Sequence, residues 1–190
     1  MRSLLYIIGI PGSGKTTLLG AALVGVPSIG QTTRPFTHVI YLGGCQLGAL
    51  RGKFSGTDAL SMSVQPKVVE WLNGPCPYVN IVGEGDRLAN LSFFQGVLDA
   101  GWQLEVVYLA VPESIAQQRC VERGSAQDPS WWKGRVTKVR NLAASFPVTA
   151  LDGTLPLQIL TAQLQAFPVI QGLGQRQPHP VSHATSFFPA

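Results

Sequence analysis

Charge is what this chain has least of: Asp, Glu, Lys and Arg make up 13% of its 190 residues, against about 25% in an ordinary soluble domain. Cysteine is scarce as well. Cys45, Cys76 and Cys120 are odd in number, widely spaced and without histidine at zinc-ligand spacing, which argues against a disulfide framework and against a structural zinc site. That usage fits a reducing, cytoplasmic setting. Long hydrophobic runs are also missing. The apolar stretch at residues 4–10 is too short to span a membrane and leads into a glycine-rich loop, not a cleavage site, so it reads as a buried strand and no membrane partner is expected.

What is present is apolar mass, 45% of the chain, enough for one domain whose core needs no covalent staple. Residues 1–170 read as that domain. Residues 171–190, a tail of Pro, Gln, His and Ser without periodicity, are expected to be disordered. The net charge is +4, and residues 119–140 alone hold six basic side chains against Glu122 and Asp128. Such a concentration calls for an anionic partner, either nucleotide phosphates or a nucleic-acid backbone.

Strand and helix patterns alternate along the chain. Residues 3–10, 78–82, 104–110 and 148–151 have strand composition; residues 15–23, 112–123, 134–145 and 157–167 have helical composition, and Leu91, Phe94 and Leu98 share the face of another helix. This order predicts an α/β fold with a doubly wound parallel sheet. Residues 27–61, rich in Gly, Ser and Thr around the possible strand THVIYLGG, read as a long functional excursion.

Gly9, Gly14, Lys15 and Thr16 match G-x4-G-K-[ST] between a buried strand and a helix, the context that makes the motif a phosphate loop. Its glycines let backbone N–H groups and the helix amino terminus turn toward phosphate oxygens. Pro11, Gly12, Ser13 and Thr17 complete the expected ATP cradle, with Lys15 reaching the β and γ phosphates and Thr16 ligating magnesium. No base-reading N/T-K-x-D motif of GTPases is present, and the second strand runs into GEGDR instead of the Asp or Asp-Glu ending of motor ATPases. A small kinase is favoured.

At the carboxyl end of that strand, Glu84 and Asp86 are candidates to hold magnesium or to take a proton from an attacking hydroxyl, and Arg87 to clamp a phosphate; alternatively Asp86 caps a helix and pairs with Arg87. Asp58, in GKFSGTDALSMS, is a second general-base candidate or a reader of the acceptor's polar edge, unless it or Thr57 merely caps the helix toward Trp71. Arg34 and Arg51 are candidates for acceptor phosphates. Arg119 and Arg123 lie four apart on one helix face, before Lys133, Arg135, Lys138 and Arg140, and together they read as a basic lid that brings positive charge to the transferring group. Trp131 and Trp132 either stack on bases or anchor the lid by burial. Asp152, in LDGTLPLQIL, falls where the backbone passes an adenine, with Thr154 a candidate helix cap.

GIPGSGKTT, a strand ending in a D-R step, VPESIAQQRCVERG, the basic lid and LDGT occur in an order that resembles the thymidylate kinase-like branch of nucleoside monophosphate kinases over residues 3–166. Within that branch FSGTDALSMS, EGDRLAN and WWKGRVTKVRNL are most similar to the bacteriophage 5-hydroxymethyluracil DNA kinases. The resemblance implies a P-loop kinase fold, ATP and Mg2+, and phosphorylation of the hydroxymethyl group of a modified thymine in DNA, a step toward hypermodified viral genomes that evade restriction. It also implies the host cytoplasm as the location. The family's functional residues carry over to Gly9, Gly14, Lys15 and Thr16; beside them, Arg119 and Asp152 are expected at the ATP, and Arg51, Asp58, Arg87, Lys133 and Arg135 at the substrate. Pro11, Gly12 and Ser13 stand where thymidylate kinases commonly carry a charged residue, and residues 27–61 lack a clear counterpart of their monophosphate-binding arginine segment. A soluble nucleoside or nucleoside monophosphate kinase is the alternative, and a noncatalytic nucleotide-switched module the third reading.

Overall fold

The computed structural model describes residues 1–49, 55–125 and 128–176. In chain order the elements are β1 (Ser3–Ile8), α1 (Lys15–Ala22), β2 (Ser28–Thr32), β3 (His38–Tyr41), β4 (Gly44–Leu47), a 3₁₀ turn (Thr57–Ala59), α2 (Gln65–Asn73), β5 (Asn80–Glu84), α3 (Leu91–Asp99), β6 (Gln103–Ala110), α4 (Glu113–Glu122), α5 (Pro129–Ser145), β7 (Val148–Asp152), α6 (Leu157–Gln165) and α7 (Pro168–Leu173).

One seven-stranded sheet carries them, in the order β2-β3-β4-β5-β1-β6-β7. The strands from β4 to β7 are mutually parallel, and β2 and β3 add an antiparallel margin. β1 sits inside the sheet and is buried on both faces, as a central parallel strand must be. Its side chains alternate: Leu4, Tyr6 and Ile8 pack into the layer that holds Val68, Phe93 and Leu142 of α2, α3 and α5, whereas Leu5 and Ile7 face Leu18, Leu164 and Ile170 of α1, α6 and α7. This two-sided burial explains why residues 4–8 read as an unbroken apolar run.

The parallel strands bring their carboxyl ends to one edge, and the chain segments that leave that edge build the site. The loop after β1 is the glycine motif, and β5 ends on Glu84. Thr32 pairs with His38 and His38 with Leu47, so the β2–β3 turn carrying Arg34 opens on the same edge.

Within the expected excursion at residues 27–61, β2, β3 and β4 therefore belong to the sheet. THVIYLGG breaks at Leu42 and Gly43 into the β3–β4 hairpin, because Gly43 is pressed against the Gly172 carbonyl and has no room for a side chain. α5 starts at Pro129, five residues earlier than its periodicity suggests, because the Asp128 carboxylate accepts the Ser130 and Trp131 amides and caps it. The ordered chain also runs past residue 170: Ile170 and Leu173 of α7 are buried against α1 and α6. Residues 177–190 lie outside the described ones.

Candidate active site

The glycine loop is closed by its own lysine. Lys15 Nζ donates to the carbonyls of Gly9 at 2.8 Å and Ile10 at 3.2 Å. Gly12 and Gly14 adopt φ of +80° and +99°, and a Cβ on Gly12 would lie 2.2 Å from the Ala116 carbonyl oxygen, so α4 presses on the loop where only glycine fits. α1 begins at Lys15 with no side-chain cap and no acidic residue in its first turn, leaving its amino terminus open to an anion.

Glu84, 3% exposed, faces this loop from the end of β5, and Thr16 Oγ1 donates to its Oε1 at 3.1 Å. Burial raises the Glu84 carboxyl above its ordinary range, against the opposing pull of Lys15 and Thr16. Desolvation likewise lowers the Lys15 ammonium, with Glu84 opposing it. A buried carboxylate bonded to the loop hydroxyl, next to a cationic lysine and an uncapped helix, fits the donor set that a magnesium–triphosphate needs.

Two cavities flank the loop. One, of about 280 Å3, lies between Ser13 and Thr17 on one side and Arg119, Gly153 and Leu157 on the other. Arg119 bridges it, donating to the carbonyls of Ser13 and Gly153 at 3.4 Å each. Gly153, rather than its neighbour, lines this space. The Asp152 carboxylate is exposed and occupied by the Thr154 amide and hydroxyl, at 3.0 and 2.7 Å, and these bonds hold it below the ordinary carboxylate range. Thr154 consequently does not cap α6, whose cap position is Pro156.

The other cavity, of about 310 Å3, opens beside Gly9, Pro11 and Lys15 and is walled by Asp58, Asp86, Arg87, Trp131, Arg135 and Lys138. Asp58 caps no helix. Its Oδ1 accepts the amides of Asp86 at 2.7 Å and Arg87 at 3.0 Å, tying the 3₁₀ turn to the loop after β5. Tyr6 braces the same junction from the core, bonded to Thr57 Oγ1 at 2.8 Å and to the Gly85 carbonyl at 2.9 Å. Asp86 is not a cap either: Asn90 caps α3, and Asp86 is ion-paired with Arg135 and with Lys138 at 3.0 Å. Arg87 therefore does not pair with Asp86. Its Nε is buried without a hydrogen-bond partner in the cavity wall.

Trp131, Arg135 and Lys138 fall at helical spacing on the α5 face toward this cavity, and the Arg135 guanidinium lies 5.0 Å from the Trp131 ring centre. Trp132 takes the anchoring role, buried with its Nε1 3.4 Å from Glu113. The basic segment divides accordingly. Arg135 and Lys138 line the cavity, Arg140 pairs with Glu113 at 2.7 Å, and Arg123 folds onto its own helix, donating to the Arg119 carbonyl at 3.2 Å. Lys133 is exposed and lines neither cavity. Arg34 is exposed at its hairpin tip, and Arg51 lies outside the described residues. Lys138, expected as part of the basic lid, lines the cavity with Arg135. Tyr6 was not foreseen, because within an apolar strand it carried no signal.

No curated protein matches the sequence. Among solved structures the chain is similar to a sugar kinase from Janibacter sp. HTCC2649, with 14% identity and a TM-score of 0.51 over 90% of this chain and 98% of that one. It also resembles a gluconokinase from Sinorhizobium meliloti 1021, at 16% identity and a TM-score of 0.49, covering 91% and 93%. A deoxyadenosine kinase from M. mycoides aligns at 12% identity and a TM-score of 0.45, covering 85% and 95%. At these identities the likeness is one of fold. Residues 1–163 match the model of the family P-loop Nucleotide Kinase3, and the chain belongs to that family.

Proposed function

We propose that the chain is an ATP- and magnesium-dependent kinase whose acceptor is the hydroxymethyl group of 5-hydroxymethyluracil in DNA, a step in viral thymidine hypermodification and restriction evasion. The observation that carries this reading is the second cavity. It adjoins Lys15, and its wall includes two carboxylates, Asp58 and Asp86, the Trp131 ring and three cationic side chains, Arg87, Arg135 and Lys138. Such a lining suits a base stacked on Trp131 whose flanking phosphates meet Arg87, Arg135 and Lys138. The partnerless Nε of Arg87 leaves a donor for that anion.

ATP with magnesium supplies an activated γ-phosphoryl group when bound. Lys15, the loop amides and the α1 terminus hold its phosphates, Arg119 borders the nucleoside, and Thr16 and Glu84 are the metal-side ligands. Asp58, held by two amides, takes the proton that the acceptor hydroxyl loses as its oxygen bonds to phosphorus and the β–γ bridging bond breaks. Asp86 serves to hold Arg135 and Lys138, which balance the developing charge; Arg123, folded onto its own helix, lines neither cavity. In-line transfer needs the hydroxymethyl oxygen close to the γ phosphate, which a base held within a duplex does not allow, so the modified nucleotide enters flipped or from a single strand.

Labelled ATP offered with hydroxymethyluracil DNA, unmodified DNA, and free nucleosides and monophosphates tests the acceptor. Label on the modified DNA is the expected result. Label confined to free nucleosides or monophosphates would overturn the reading in favour of a soluble nucleotide kinase.

A further inference from the structure

A groove of about 600 Å3 runs from the acceptor cavity along α5, between that helix and the starts of α2 and α3. It shares Lys138 and Leu142 with the cavity, so the two spaces adjoin on either side of one lysine. None of its lining residues is acidic. One wall is a closed ring of side-chain hydrogen bonds: Asn90 Nδ2 donates to Gln65 Oε1 at 2.8 Å, Gln65 Nε2 to Ser92 Oγ at 2.7 Å, and Ser92 Oγ to Asn90 Oδ1 at 2.8 Å. Leu91, 49% exposed, adds an apolar surface beside it. The opposite wall is the polar side of α5, Thr137 and Asn141, with Gly134 leaving open space.

We infer that this groove seats the nucleotide adjoining the acceptor in the same DNA strand, an inference that rests on the proposed DNA-kinase reading. The chemistry matches segment by segment. Lys138 stands at the junction, where the phosphodiester joining the two nucleotides passes. The amide and hydroxyl ring presents fixed donors and acceptors to a base edge, and Leu91 presents apolar area to a base or sugar face. The groove's own lining has no carboxylate to repel a polyanion, and at the junction Asp86 is already paired with Arg135 and Lys138. A monomeric acceptor fills only the cavity; a polymer fills both, so the groove discriminates in favour of strand over free nucleotide.

Gly134→Glu and Thr137→Glu test this by placing a carboxylate in the groove at exposed helical positions, where a glycine replacement meets no neighbour. The assay compares a single-stranded trinucleotide carrying central 5-hydroxymethyluracil with the corresponding free monophosphate, and melting curves verify that both variants are folded. For the wild type, the trinucleotide should have the lower KM. Each variant should raise that KM about tenfold, with the KM for ATP unchanged, as expected when binding shared by ground and transition states is lost. Folded variants that match wild type on the trinucleotide would overturn the groove inference alone. A wild-type enzyme that transfers no phosphate to any hydroxymethyluracil oligonucleotide would overturn the proposed function, and the groove inference with it.

Discussion

Glu84 carries two opposed demands, because the position that suits a metal is a poor place for an unshielded carboxylate. Burial holds its pKa above the ordinary 4.5, so the folded state binds this proton more tightly than the unfolded chain. Stability from this group is full below that ordinary value and is lost as pH rises through the raised folded value. Glu84→Gln cannot ionise and escapes the loss. In magnesium-free buffer at neutral pH the variant should therefore melt above wild type, the gain shrinking to nothing in acid, while phosphoryl transfer falls by about 10²-fold or more. Melting below wild type at neutral pH would contradict this origin of the shift. Gly12 is constrained by shape instead of charge. Gly12→Ala combines a positive φ with a Cβ 2.2 Å from the Ala116 oxygen, and should cost about 1–3 kcal/mol, read as a Tm lowered by roughly 2–12 °C. An unchanged Tm would show that α4 gives way. The geometry of the glycine loop was legible in the sequence because its parts are contiguous: strand, glycines, Lys15 and Thr16 lie on one uninterrupted segment.

At the scale of elements, α5 is fixed to the sheet in two ways. An apolar stripe of Trp132, Val136, Val139 and Leu142 is buried, and the ion pairs from Arg135 and Lys138 reach Asp86. The stripe supplies most of the holding energy, since ion pairs with side chains about a third exposed are worth at most about 1 kcal/mol each. Asp86→Asn should consequently lower stability by less than about 2 kcal/mol in denaturant titration, yet reduce kcat/KM for the acceptor about tenfold, because both cations lose their fixed positions. A large loss of stability with unchanged kinetics would make the pairs structural props only. These contacts were hidden from the sequence for a physical reason. Asp58 meets the Asp86 amide across 28 positions, and Asp86 meets Arg135 across 49. No local periodicity reports such pairings, so three acidic candidates stayed equivalent until the fold separated them: Glu84 against Thr16, Asp58 on two amides, Asp86 between two cations. Of the short strands, β3 lies within the expected THVIYLGG, but β2 and the break that makes β4 a separate strand were obscure for a similar reason. β2 is exposed along most of its length and shows no alternation, so its pairing with β3 is what defines it.

Taken as a whole, the molecule sets its glycine loop and the cavity proposed for the acceptor on one sheet edge, with a positive helix beside that cavity. No helix among the described residues is long and apolar enough to cross a membrane. The net charge of +4 and the cationic cavity predict binding to single-stranded DNA that weakens steeply between about 50 and 200 mM salt. Salt-independent binding would place the affinity in apolar contacts instead. The central claim is that these two sites form one transfer centre acting on a base within a strand. Its most direct measurement is the mass of the nucleosides released from hydroxymethyluracil DNA after incubation with ATP, magnesium and the enzyme, alongside Lys15→Ala. One phosphoryl group on the modified base, formed by wild type and absent with Lys15→Ala, is the predicted result. An unaltered base, or phosphate found only on strand ends or free nucleotides, would contradict it.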